Sequence, residues 1–196
     1  MFQTAKPAIL RLICACVLTV VVFASPVAAE PSVWRIDPET SSILITFDID
    51  GTPRQGRFEA FKGEARFDLA ALEDANLKFE IETATIELGE TFATDFVKSA
   101  DWLFVEEHPI AIYELQSLER IEGDQFRATG LLTMRGRTHP VTGDLTLNLD
   151  EAAGVAVGEV GFNRKDFNVG VGFSTLFVEI GPLIGVSFDL KAMRLE

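Results

Sequence analysis

Reactive side chains are scarce in this sequence. Its only two histidines, His108 and His139, stand far apart, and both cysteines, Cys14 and Cys16, sit in an apolar N-terminal run. A metal site needs several His, Cys or carboxylate ligands at clustered spacing, and a covalent nucleophile needs a base within reach and a group that orients the base. Neither pattern is present, so the expectation is a protein that is not an enzyme, with no catalytic residue, no metal and no cofactor. Gly170-Val171-Gly172 follows a strand-like motif but opens no helix, which excludes a dinucleotide-binding loop. Arg164 and Asp166 flank Lys165 and would share one face of an extended strand. They read first as a structural ion pair and second as candidate contacts for a polar headgroup.

The chemistry for which the chain is equipped is burial. It carries 16 phenylalanines, all but Phe2 and Phe23 lying beyond Ala29, and most of these fall on segments that alternate apolar and polar. The residues expected to line an apolar cavity are those on the apolar phase of each segment: Phe47, Phe58, Phe67, Phe79 and Ile81 in the first half, Phe96 and Trp102 in a helical stretch, and Ile112, Leu132, Leu145, Phe162 and Phe188 in the second half. A long hydrocarbon chain entering a dry cavity gains roughly 0.8 kcal/mol per buried methylene. A long chain is therefore held by enclosure, without an ionic contact.

The elements that must position these side chains are strands. Ile43, Ile45, Phe47 and Ile49 alternate with Thr46 and Asp48; Leu77, Phe79 and Ile81 with Lys78, Glu80 and Glu82; Ala128, Gly130, Leu132 and Met134 with Arg127, Thr129, Thr133 and Arg135. The same period runs through Val141 to Leu149 and Ile184 to Leu190. Turn signals at Asp50-Gly51-Thr52-Pro53, Glu122-Gly123-Asp124, Gly136, Ala153-Gly154 and Gly181-Pro182 separate them. Strand, short turn, strand predicts antiparallel hairpins, largely a meander. One stretch differs: Phe92, Phe96, Ala100 and Leu103 recur at three- and four-residue spacing, which predicts a short amphipathic helix over residues 91–103, laid across one end of the sheet. The fold class is all-β. About eight antiparallel strands with one apolar face must either pair as a sandwich or close into a barrel, and periodicity alone leaves both open.

The N-terminus reads as an export signal. Lys6 and Arg11 precede the apolar stretch Leu12 to Ala24, and Val27-Ala28-Ala29 offers the small residues of a cleavage site, placing cleavage after Ala29 and localisation in the periplasm. Residues 30–196 then form one domain. Loss of residues 1–29 removes two of the 17 basic residues and none of the 30 acidic ones, leaving a formal charge of −15. Such a surface repels phosphate backbones and anionic headgroups, so no nucleic-acid partner is expected.

Several stretches in order carry a family resemblance: Trp34-Arg35-Ile36-Asp37-Pro38 with Ser42 and Phe47; Gly56-Arg57-Phe58 with Phe61-Lys62-Gly63 and Phe67-Asp68; Val97 to Trp102; Gly130 to Val141; and Asn163 to Gly170. Together they resemble the YceI-like family of small exported proteins, across essentially the whole chain beyond the signal. The resemblance implies a closed, lipocalin-like antiparallel barrel whose cavity holds polyisoprenoid or fatty-acyl chains. Three departures stand out: Asn168 replaces a usual glycine, Arg137 and His139 replace an apolar residue and a lysine, and Phe104 replaces a common aspartate. The expected function is that of a periplasmic carrier for a long apolar lipid such as a quinone or prenyl chain, as monomer or homodimer. The alternative is an accessory partner of a membrane b-type cytochrome or quinone redox chain.

Overall fold

The structure, a computed structural model, describes residues 31–195. The expected export signal, with its cleavage point after Ala29, lies outside the described residues.

The described residues form eleven strands and one α-helix, besides short 3₁₀ turns: β1 (Ser32–Ile36), β2 (Ser42–Ile49), β3 (Thr52–Phe58), β4 (Phe61–Asp68), β5 (Ala71–Glu82), β6 (Ile86–Glu87), α1 (Thr91–Lys98), β7 (Ile110–Glu122), β8 (Gln125–Met134), β9 (Arg137–Leu149), β10 (Ala153–Asn163) and β11 (Leu183–Leu195). The ring order is β1-β4-β5-β7-β8-β9-β10-β11, closed by pairing of β11 with β1. This is an eight-stranded closed antiparallel barrel. From β7 to β11 it is the expected meander, whereas β2, β3 and β6 branch from β11 as a side sheet. β11 serves both: Gly185–Asp189 pair with β2, and Ala192–Leu195 pair with β1.

The two ends of the barrel differ. One carries the tight β4–β5, β7–β8 and β9–β10 hairpins; the other carries the β8–β9 hairpin, the long connection holding β6 and α1, and the loop between β10 and β11. The turn at Asp50-Gly51 has φ of 52° and 72°, and that at Arg135-Gly136 has 50° and 69°. Two successive residues with positive φ match the twist of the flanking strands. Gly154 is a strand residue, and the turn predicted there instead spans 150–152, where Asp150 Oδ1 accepts from the Ala152 and Ala153 amides.

The helix is shorter than the 91–103 stretch predicted from spacing. It stops at Lys98, and Ser99 Oγ caps its end by donating to Phe96 O at 2.6 Å. Val97 is buried in the core, but Phe92 is 83% exposed. The residues after the helix form turns, with Phe104 at φ 52° packed edge-on against His108.

Small inward residues make room for rings. A Cβ at Gly130 would overlap the Tyr113 ring, and one at Gly63 would stand 2.5 Å from Phe79 Cδ2. Gly130→Val is expected to cost about 1–3 kcal/mol by overpacking, read as a lower urea midpoint. Burial also pushes the Tyr113 phenol up from 10.0 to about 12. The folded protein thus keeps a proton that the unfolded chain loses, so this contribution is intact below pH 10 and stability falls as pH rises from 10 toward 12. Tyr113 is the sole tyrosine. Phenolate absorbance should therefore titrate as a single step near 12 in the native protein, and near 10 in urea.

Candidate functional site

A cavity of about 100 Å³ lies inside the barrel. Every one of the eight ring strands contributes to its wall: Trp34 and Ile36 from β1, Ala65 and Phe67 from β4, Leu77 from β5, Leu115 and Leu118 from β7, Ala128 from β8, Leu145, Leu147 and Leu149 from β9, Gly154 and Ala156 from β10, and Leu190 and Ala192 from β11. Asn76 is the one polar residue on it among the described residues. The strand positions place it in the half nearer the tight hairpins. It exists because inward positions there carry alanine, glycine and leucine, too little volume to fill an eight-stranded bore. A larger hollow of about 620 Å³ lies outside the ring, where Thr46, Arg127, Asp144, Glu159 and Ser187 are among its lining. Its charged pair Arg127–Asp144 satisfies itself at 2.7 and 2.9 Å, so that surface offers an apolar chain nothing.

The helix half of the bore is filled. Phe47, Phe58, Phe61, Phe79, Trp102 and Phe167 form a continuous core there, with Phe47 and Trp102 ring centroids 5.1 Å apart and Phe61 and Phe79 5.6 Å apart. Trp34 stacks on Phe67 at 6.0 Å by the cavity. The indole N–H groups of both Trp34 and Trp102 are buried without an acceptor among the described residues. Each such donor forgoes about 1–3 kcal/mol relative to a paired one.

Residues 34–192 match the family model of the YceI-like domain. The chain belongs to the YceI-like family. Protein YceI of Escherichia coli O6:H1 is 28% identical over 173 residues, covering 83% of this chain and 87% of that protein. A UPF0312 protein of Azotobacter vinelandii is 31% identical over 111 residues, covering 55% of this chain and 58% of its own length. Among solved structures, Burkholderia cenocepacia BcnA superposes with a TM-score of 0.73 at 24% identity, covering 80% of this chain and 98% of that one. A polyisoprenoid binding domain from Saccharophagus degradans, implicated in plant cell wall breakdown, superposes at 0.66 with 12% identity, covering 83% and 98%.

Within this YceI-like barrel, the twelve residues expected at the cavity are distributed unevenly. Phe67 and Leu145 lie on its wall. Phe47, Phe58, Phe79 and Trp102 are buried in the core of the helix half, and Ile81, Phe96, Leu132, Phe162 and Phe188 pack against that core. Ile112 corrects the expectation outright: Ala111 and Tyr113 take the inner phase, leaving Ile112 on the outer face opposite Glu80, whose carboxylate meets Lys62 and Lys78, each at 3.0 Å. Those two lysines hold the Glu80 carboxyl below its ordinary range. Sequence reasoning missed Trp34, Leu77, Leu115, Leu118, Ala156 and Ala192 as cavity residues. The available signal was the scarcity of bulk on the inward phase.

Arg164 and Asp166 also depart from expectation. They sit in a 3₁₀ turn, Arg164–Phe167, instead of on a strand. Asp166 is exposed, and Arg164 is buried with its guanidinium spent on backbone. Nε donates to Gly181 O at 2.8 Å, Nη1 to Val169 O at 2.9 Å and Gly170 O at 2.6 Å, and Nη2 to Ile180 O at 3.1 Å. Burial lowers its pKa from the ordinary guanidinium value. Arg164 is thus a tie for the loop between β10 and β11, with no group left to greet a headgroup. Arg135, which sequence reasoning had noted only as a strand residue, does the same for the neighbouring loop, donating to the carbonyls of Ala100, Asp101, Trp102 and Asn168. Asn168 has φ 57°, the left-handed conformation its family's glycine would supply. His139 packs edge-on against Phe167 at 5.3 Å. Among the described residues no three His, Cys, Asp or Glu side chains converge as a metal site.

Arg164→Met leaves four buried or half-buried carbonyls without their donor. The expected loss is about 2–4 kcal/mol in urea unfolding, against about 0.5 kcal/mol or less for Asp166→Asn.

Proposed function

We propose that this YceI-like protein is a non-enzymatic carrier of a long apolar lipid, a polyisoprenoid such as a prenyl quinone, exported to the periplasm by its N-terminal signal. The observation that carries the reading is the cavity, walled by all eight strands and apolar at every position but Asn76. A neighbour of the same fold described as a polyisoprenoid binding domain supports it. Enclosure supplies the affinity: each methylene removed from water contributes roughly 0.8 kcal/mol, enough over a long chain to exceed the several kcal/mol lost on association. The unpaired indole donors of Trp34 and Trp102 favour a ligand bearing uncharged acceptor oxygens, such as quinone carbonyls, over a plain hydrocarbon.

At about 100 Å³ the cavity is smaller than the ~300–1,000 Å³ typical of ligand sites. A long tail must therefore extend from the leucine-walled chamber into the aromatic half, with Phe188 and its neighbours turning aside. Organic extracts of protein purified from its native periplasm should contain a prenyl lipid by mass spectrometry. Ala128→Phe with Ala156→Phe, which fills the chamber from two walls, should lower lipid content by about tenfold or more while near-ultraviolet circular dichroism stays native. An empty wild-type protein, or full occupancy in the filled variant, would overturn the proposal.

A further inference from the structure

The loop between β10 and β11 exposes apolar side chains on a firmly held base. Phe173, Leu176 and Phe177 are 74%, 72% and 75% exposed, and the two phenylalanine rings touch only at 5.5 Å, edge to face, away from the core. The foot of this loop is pinned by Arg164 and by the Val171 amide, which donates to Asp101 O at 2.9 Å. Its tip is turned by Thr175, whose amide and hydroxyl both donate to Gly172 O. Isolated exposed apolar residues need no explanation, but three large ones on one buttressed turn mark a contact surface.

A second observation at the same end points inward. Phe92, 83% exposed, stacks on Phe96 at 6.4 Å; Phe96 meets Trp102 at 5.6 Å; Trp102 meets Phe47 at 5.1 Å. Ring by ring, this runs from solvent into the buried core of the helix half, and Trp102 adjoins Asp101, against which the loop rests. Charge identifies the occupant. No charged side chain occurs from Phe167 to Val178; the exposed charges flanking this stretch in sequence and on or beside α1 are the acidic Asp166, Glu179, Glu90 and Asp95 and the basic Lys165, with exposed Arg137 set against Asn168. An anionic surface is repelled, and so is a second copy of a chain whose formal charge is −13 before signal removal. An uncharged interface is not.

We infer that the helix end of the barrel docks on a bilayer of zwitterionic headgroups, inserting Phe173, Leu176 and Phe177, and that a lipid tail passes between that bilayer and the bore along the rings from Phe92 to Phe47. The tail-transfer half rests on the carrier reading; the docking half does not. Membrane burial of aromatic and leucine side chains at the headgroup boundary supplies the binding.

The test compares the wild type with Phe173→Ser/Leu176→Ser/Phe177→Ser, whose side chains lie outside the core. Wild-type protein, free of added lipid, should float with phosphatidylcholine vesicles, and the triple variant should partition more than about tenfold less. Uptake of a prenyl quinone from those vesicles should slow by a similar factor in the variant, while uptake from quinone dispersed in dilute ethanol stays unchanged. Wild type that does not float, that prefers phosphatidylglycerol vesicles, or that forms a dimer abolished by the triple substitution overturns the docking. Flotation without uptake from either source removes the carrier reading and leaves the docking standing.

Discussion

Closure through β11 is the constraint on which the rest depends. One strand of thirteen residues completes the ring against β1 and founds the side sheet against β2, while its other edge runs the full length of β10. An open eight-stranded sheet would leave two unpaired edges and an apolar face to water. Closed, it encloses a bore whose width is fixed by strand number, so that what fills the bore is decided by side-chain volume at each level.

That volume changes along the axis. Toward the helix end, phenylalanine and tryptophan pack with isoleucine, valine and methionine into a filled core, relieved locally by Gly63 and Gly130, whose missing side chains are occupied by Phe79 and Tyr113. Toward the tight hairpins, leucines face alanines and Gly154, and the packing leaves a chamber. The helix end is held by two arginines that act as multivalent donors to loop carbonyls, Arg164 and Arg135. Neither depends on a carboxylate partner for its backbone bonds. The surface pairs, such as Arg127–Asp144, are solvent-exposed and contribute little to stability.

How much of this was legible in the sequence follows from what alternation can encode. Period-2 patterning located β2, β5, β8, β9 and β11 with their inner and outer faces, because the inner face must be apolar. It said nothing of height along the barrel, and so Phe47, Phe79 and Trp102 were expected beside the same cavity as Phe67 and Leu145 though they fill the opposite half. Ile112 was misplaced because both phases of its strand are apolar near Ile110–Tyr113, which leaves alternation without contrast. The strand reading of Arg164 and Asp166 failed because a 3₁₀ turn has no faces of that kind, and the turn is set by contacts to Gly181 and Ile180 that are distant in sequence. Barrel closure over sandwich packing came from the ordered family motifs, since periodicity is common to both.

The register Val33 to Leu195 joins the first described strand to the last. A ribosome releases β11 after every other staple of the ring, so no nascent intermediate can shut, and the most sequence-distant contacts impose a slow, late folding step. Until β11 has emerged, the β1 edge of the ring stays open on that side.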